Sequence, residues 1–256
     1  MNIQEAALAL LEAEREKQPI APFTSSTEIS VDDAYQIQLF QIEEKLKSAQ
    51  LKGMKIGLTS KVMQHMFNVD TPDFGHILNT MVFDNYSKVS KSQFIQPKVE
   101  FEIAFILKED LTGPNVTPEQ VMQATEAIAP AIEIIDSRIQ DWKFKFQDTV
   151  ADNGSSAGAI VGTPLPVPTY EQLANISIVA KKNSIVFDEG VSNAVMDNPA
   201  NAVAWLANML SDYDISLKAG QFILAGAITA AVPFEANDQF DVDFGEYGKV
   251  QVTFTE

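Results

Sequence analysis

The segment "PKVEFEIAFIL", residues 97–107, constrains the fold more than any other. Val99, Phe101, Ile103, Phe105 and Leu107 alternate with the other residues, which is the period of a β-strand with one apolar face. Glu100 and Glu102 fall on the opposite face, which continues as Ala104 and Ile106. Two like charges side by side repel, and burying them unpaired is costly. Either the strand has a wet face, or a cation sits between the carboxylates. Carboxylate oxygens are hard ligands suited to Mg²⁺, Mn²⁺ or Ca²⁺, and two of them make an incomplete site. A third acid lies inside another apolar strand: in "PAIEIID", Glu133 interrupts Ala131, Ile132, Ile134 and Ile135. A structural ion pair is the other reading of Glu133, but strand spacing does not put Arg138, five residues on, beside it.

Around these strands the signals change from helix to strand along the chain. Ile3, Ala6, Ala7, Leu10 and Leu11 fall at helical spacing, and a second helix begins after Ser30, a cap residue. "MKIGLTSKVMQHMF" predicts a short strand ending at Leu58 and a helix capped by Thr59 or Ser60. "VDTPDFGHIL" has loop chemistry, with Pro72 and Gly75 bracketing Asp73 and Phe74, and His76 is expected to be a solvated loop histidine. Thr117, Pro118 and Gln120 form a capping box. "ISIVAKKNSIVFDEG" predicts a hairpin turning near Lys182 and Asn183, and strands and turns follow from Gly220. There is no βαβ rhythm and no repeat. The class is α+β: a helical N-terminal region over 1–75 and a strand-rich body over 76–256, joined as one compact unit.

Composition narrows the chemistry. The net charge of −17 argues against nucleic acid and anionic membrane surfaces as partners, and an anionic substrate needs a local cation. With no cysteine, thiolate metal sites and cysteine nucleophiles are excluded, and two histidines, His65 and His76, are too few for a histidine-rich zinc site. The first residues, "MNIQEAALALLEAEREKQ", carry charges throughout and read as an amphipathic helix, so a cytoplasmic protein is expected.

Five stretches together carry a resemblance: "KIGLTSK", "PDFG", "VEFEIAFIL", "PAIEIIDSRIQDWKFKFQDTVADNGSS" and "NPANAVAWLAN". They resemble, in order and over about residues 29–254, the 2-oxopent-4-enoate (2-hydroxypentadienoate) hydratases of aromatic meta-cleavage pathways, within the fumarylacetoacetate hydrolase superfamily. The resemblance implies a mixed β-roll with a helical N-terminal region. It implies a divalent metal, Mg²⁺ or Mn²⁺, held by Glu100, Glu102 and Glu133, and a short enol or 2-oxo acid as substrate. A homo-oligomer is expected. Lys55, leading "KIGLTS", is then expected to hold the substrate carboxylate or assist proton transfer, and Asp73 to position or activate water. Asp152, Asn153, Ser155 and Ser156 of "VADNGSS" are expected beside the substrate, with Thr229 lining the pocket. Trp142, Phe144 and Phe146 of "WKFKF" are expected in the core or at a subunit interface. The sister 2-oxo-3-hexenedioate (4-oxalocrotonate) decarboxylases resemble "GAITAAV" more closely, whereas "PDFG" and "DSRIQDW" resemble the hydratases. Two rivals of other classes are an acylpyruvate-type carbon–carbon hydrolase and a non-catalytic complex partner. The first needs a base such as a His–Glu pair, and the second has no reason to keep costly buried acids.

Overall fold

A computed structural model describes residues 1–256. Seven α-helices are present: α1 Ile3–Glu16, α2 Val31–Leu46, α3 Lys61–Phe67, α4 Pro118–Ala124, α5 Phe146–Ala151, α6 Tyr170–Leu173 and α7 Pro199–Leu210. The fourteen strands begin with β1 Leu51–Gly57, β2 Asp73–Leu78, β3 Val82–Phe83, β4 Ser87–Ser90, β5 Lys98–Leu107, β6 Thr125–Ile135 and β7 Ser156–Val161. They continue with β8 Leu165–Pro166, β9 Ser177–Lys182, β10 Ile185–Val191, β11 Phe222–Leu224, β12 Val232–Pro233, β13 Gln239–Asp243 and β14 Lys249–Thr255.

The helix starts follow their capping residues. The Asn2 side chain accepts from the amides of Gln4 and Glu5, that of Ser30 from Asp33, and that of Ser60 from Met63. Thr117 and Gln120 close the reciprocal capping box that starts α4. Each satisfies amides that the first helical turn leaves without partners.

The strands form two sheets. The larger runs β2-β1-β11-β5-β6-β7-β3, with β12 beside β5 and β8 beside β6; the smaller runs β10-β9-β13-β14-β4. β2 and β7 lie near opposite ends of the first order and still touch, so that sheet curls into a roll. Alternation decides what each face meets. Outward, Phe101 of β5 packs on Phe240 of β13 and Phe187 of β10, tying the roll to the second sheet. On β2, Phe74 points outward and stacks on Tyr35 of α2 with ring centroids 4.5 Å apart. Inward, Ala104, Ala129, Ala131 and Ala159 pack with Ile77 and Leu224 in a small separate cluster. Methyl-sized side chains there let the strands close on one another.

β1 and β2 therefore belong to the strand-rich body although both begin before residue 76. "PDFG", expected as a loop, is the start of β2, with every residue from Asp73 to Leu78 buried. Pro72 precedes the strand and so removes no ladder amide. His76 is correspondingly not solvated: it is 2% exposed, and its Nδ1 meets Gln38 Oε1 of α2 at 3.0 Å. No helix is long and apolar enough to cross a membrane.

Candidate active site

Strand register places five charged residues on the inner face of the roll. Lys55 of β1 is paired with Leu224 of β11, and Leu224 with Ala104 of β5. Ala104 shares its face with Glu102 and Glu100, two and four residues back, and Glu100 lies directly opposite Glu133 of β6. On the other side of β1, Gly57 is opposite Asp73 and Lys55 is opposite Gly75. Residues far apart in sequence thus converge because paired residues share a face.

The three glutamates can each direct one oxygen so that all three lie within 4.8 Å of one another. Glu102 and Glu133 are fully buried. Gly226 donates its amide to Glu102 Oε2 at 2.6 Å, whereas Glu102 Oε1 and both Glu133 oxygens have no hydrogen-bond partner. Burial first, then the charges of Glu133 and Glu100, hold Glu102 well above the usual carboxylate range. Burial pushes Glu133 up to about 8 against the pull of Lys55, and Glu100 adds to the push. Three crowded acids with orphaned oxygens fit a hard divalent cation, which would satisfy both the charge and the unpaired lone pairs.

Lys55, 3% exposed, lies across this group. Its Nζ is 3.7 Å from Glu133 Oε2 and donates to the Gly154 carbonyl at 2.9 Å. Burial works against its charge, but the summed field of Glu133, Asp73, Glu100 and Glu102 outweighs it and raises the lysine above its ordinary value. Asp73 is 2% exposed and its Oδ1 has no partner. Burial raises its pKa more than Lys55 lowers it.

Lys55, Asp73 and Glu100 open on a cavity of about 380 Å³. Lys55, Asp73, Glu100, Ser155 and Thr229 line it, and Thr229 Oγ1 is a further polar atom without a partner. Much of the remaining wall is apolar, with Met63, Phe67, Trp142, Phe144 and Ile228 prominent. Trp142 and Phe144, expected in the core or at an interface, are pocket residues; Phe146 is core.

Two residues expected at the substrate are engaged elsewhere. Asp152 is fully buried and accepts from the Arg138 backbone amide at 2.9 Å and from Arg138 Nε at 2.6 Å. Asn153 clamps β2, accepting from the His76 amide at 2.8 Å and donating to the His76 carbonyl at 2.9 Å. Neither lines the cavity, and Ser156 does not line it either, its hydroxyl being buried and unpartnered. Sequence reasoning also passed over Lys98, whose ammonium lies 4.1 Å over the Trp142 ring at the pocket wall. Its place two residues before Glu100 was the available signal.

Residues 58–255 match the fumarylacetoacetate (FAA) hydrolase C-terminal family. The chain belongs to the fumarylacetoacetate hydrolase family. Within it, the chain is 44% identical over 251 residues to the 2-hydroxyhexa-2,4-dienoate hydratase of Comamonas testosteroni, covering 96% of this chain and 95% of that one. It is 42% identical over 217 residues to the 2-hydroxypent-2,4-dienoate hydratase of Pseudomonas putida, covering 84% and 98%. Among solved structures of the family, the 4-oxalocrotonate decarboxylase from Pseudomonas putida G7, complexed with magnesium and adipate, superposes with a TM-score of 0.93 at 32% identity, covering 98% of this chain and 97% of that one.

Proposed function

We propose that this protein is a divalent-metal-dependent hydratase that adds water to 2-hydroxypenta-2,4-dienoate and gives 4-hydroxy-2-oxopentanoate. The observation that carries the choice is Asp73: a buried carboxyl with a free Oδ1, facing a largely apolar cavity beside a lysine. The hydratase relatives point to the same reaction.

Glu100, Glu102 and Glu133 would hold the cation, Mg²⁺ or Mn²⁺. When bound, it stabilises negative charge on the substrate's C2 oxygen and carboxylate. Lys55 supplies a second fixed positive charge for that end of the substrate, held in place by the Gly154 carbonyl. Net reaction begins with transfer of the C2 hydroxyl proton to C5, which turns the dienol into the conjugated 2-oxo-3-enoate. Water then adds across C3 and C4, its oxygen to C4 and a proton to C3. Asp73 Oδ1 serves as the acid–base group for the water, its carboxyl raised above the ordinary value by burial. Ser155 and Thr229 orient the substrate by their hydroxyls, and the aromatic wall faces its hydrocarbon part.

The decarboxylase reading places a second carboxylate in the same cavity, where Asp73 would repel it. Purified protein with Mg²⁺ is given 2-hydroxypentadienoate and 2-oxo-3-hexenedioate separately and the products are identified. Hydration of the first is expected to be faster, and carbon dioxide release from the second at a higher rate would overturn the assignment. The protein is also read as a cytoplasmic homo-oligomer, supported by exposed Ile185 and Val186 on edge strand β10; light scattering tests the assembly.

A further inference from the structure

Residue 57 is a glycine, yet its backbone does not need one. Among the glycines whose φ lies in the left-handed region, Gly154, Gly220, Gly226, Gly245 and Gly248, it has no place. What a Cβ at position 57 would meet is not backbone. It would stand 2.1 Å from Asp73 Oδ1, 2.9 Å from Lys55 Nζ and 3.2 Å from Asp73 Cγ. The three nearest obstacles are the ends of the two side chains that the proposed chemistry uses. Gly75, its counterpart on β2, differs: a Cβ there would stand 2.3 Å from the Asn153 carbonyl oxygen, a backbone obstacle.

The register explains the contrast. Gly57 is the cross-strand partner of Asp73, and Gly75 of Lys55, so each charged side chain lies over a glycine of the neighbouring strand. At Gly75 the empty space lets the 153–154 turn approach. At Gly57 the empty space is filled by the Asp73 carboxylate and the Lys55 ammonium.

From this we infer that Gly57 is a positioning residue whose missing side chain leaves the place that the Asp73 carboxylate takes beside Lys55 at the pocket floor. The inference rests on the role given to Asp73 above. A carbon–oxygen contact relaxes to about 3.3 Å, so an alanine methyl would drive Oδ1 more than about 1 Å from its place. A displacement of that size costs on the order of 10²-fold in rate when it falls on a reacting group. No glutamate atom is among the three nearest to the added methyl, so metal binding is expected to stay intact.

The test is a double-mutant cycle of Gly57→Ala and Asp73→Ala, assayed on 2-hydroxypentadienoate with Mg²⁺ and enzyme in excess, with Mn²⁺ affinity and melting temperature alongside. Gly57→Ala is expected to fold, to bind Mn²⁺ as the parent does, and to lose about 10²-fold in turnover. In the Asp73→Ala background, where the carboxylate is gone, it is expected to cost less than about threefold. A merely structural glycine would give the same loss in both backgrounds, and that result overturns the inference. An impaired Asp73→Ala beside a near-normal Gly57→Ala overturns it as well, while leaving the hydratase reading in place. Normal turnover by Asp73→Ala removes the role of Asp73 and this inference with it. Should Gly57→Ala not fold, recovery of folding in the double variant supports the clash with Asp73, and failure of both refutes it.

Discussion

Changing Glu102 to Gln is expected to raise the stability of the metal-free protein while weakening its response to metal. The carboxylate oxygens of the three glutamates approach within 4.8 Å. One like-charge pair at that separation is worth about 3.5 kcal/mol at an effective dielectric of 20. Protonation already relieves part of this, because Glu102 and Glu133 are held above their ordinary values. Removing one charge is therefore expected to gain about 1–3 kcal/mol in the apo state. Glutamine keeps an oxygen that can accept the Gly226 amide, so the fold loses no hydrogen bond there. The metal response should move the other way. At a hundredfold excess over its dissociation constant, a cation stabilises the parent by about 2.7 kcal/mol. For a chain of this size that is roughly 5–10 °C in melting temperature. Loss of a carboxylate ligand should shrink that shift to near zero at the same Mg²⁺ or Mn²⁺ concentration, with a drop in affinity of at least about 10²-fold by calorimetry. Scanning calorimetry with and without metal reads both effects on one sample. A less stable apo variant with an unchanged metal shift would refute the reasoning, because it would mean that the three acids neither repel one another nor share a cation.

Lys55→Met keeps most of the buried stem, so metal binding should persist while turnover on 2-hydroxypentadienoate falls by at least about 10²-fold; near-normal turnover would make the lysine a bystander. Asp73→Asn should leave metal affinity unchanged and suppress appearance of 4-hydroxy-2-oxopentanoate by about 10²–10⁴-fold, read by product analysis. His76 is pushed down to about 4 by burial, against about 6.5 in an unfolded chain, so between these values the unfolded state binds more protons. Stability should fall by up to about 3 kcal/mol as pH drops through that window, and urea melts of His76→Gln should lack that component. Arg138→Ala leaves Asp152 buried without its cation and should cost about 3–5 kcal/mol in urea melts, most of it recovered when Asp152 is also made Ala.

The acids were legible because a charge on an apolar strand face breaks a period that is otherwise regular. Glu100, Glu102 and Glu133 needed only the alternation rule, and the helix starts at Ser30 and Thr117 needed only capping chemistry. What the sequence left hidden depends on pairing between distant segments. "PDFG" carries the punctuation of a loop, and only the ladder from β1 makes it a strand. Once Phe74 and His76 face α2, the histidine is buried against Gln38; no local signal marks that contact. Asp152 and Asn153 read as a polar turn beside the substrate. Their partners are Arg138 and the His76 backbone, whose proximity is a tertiary fact. Gly57 was part of a recognised motif, but its significance lies in what faces it across the strand.

Glu100 and Glu133 face each other across β5 and β6, ten-residue and eleven-residue strands in continuous antiparallel register over that stretch. The spacing of these two carboxylates is therefore gauged by a hydrogen-bonded lattice, not by a loop. A loop site breathes to suit the ion that enters it; a ladder rung has a fixed width. Every cation bound at the proposed site would thus meet the same aperture. Discrimination between a small dication and a large one would fall to the carboxylate rotamers, while the frame itself stays indifferent to which ion is present.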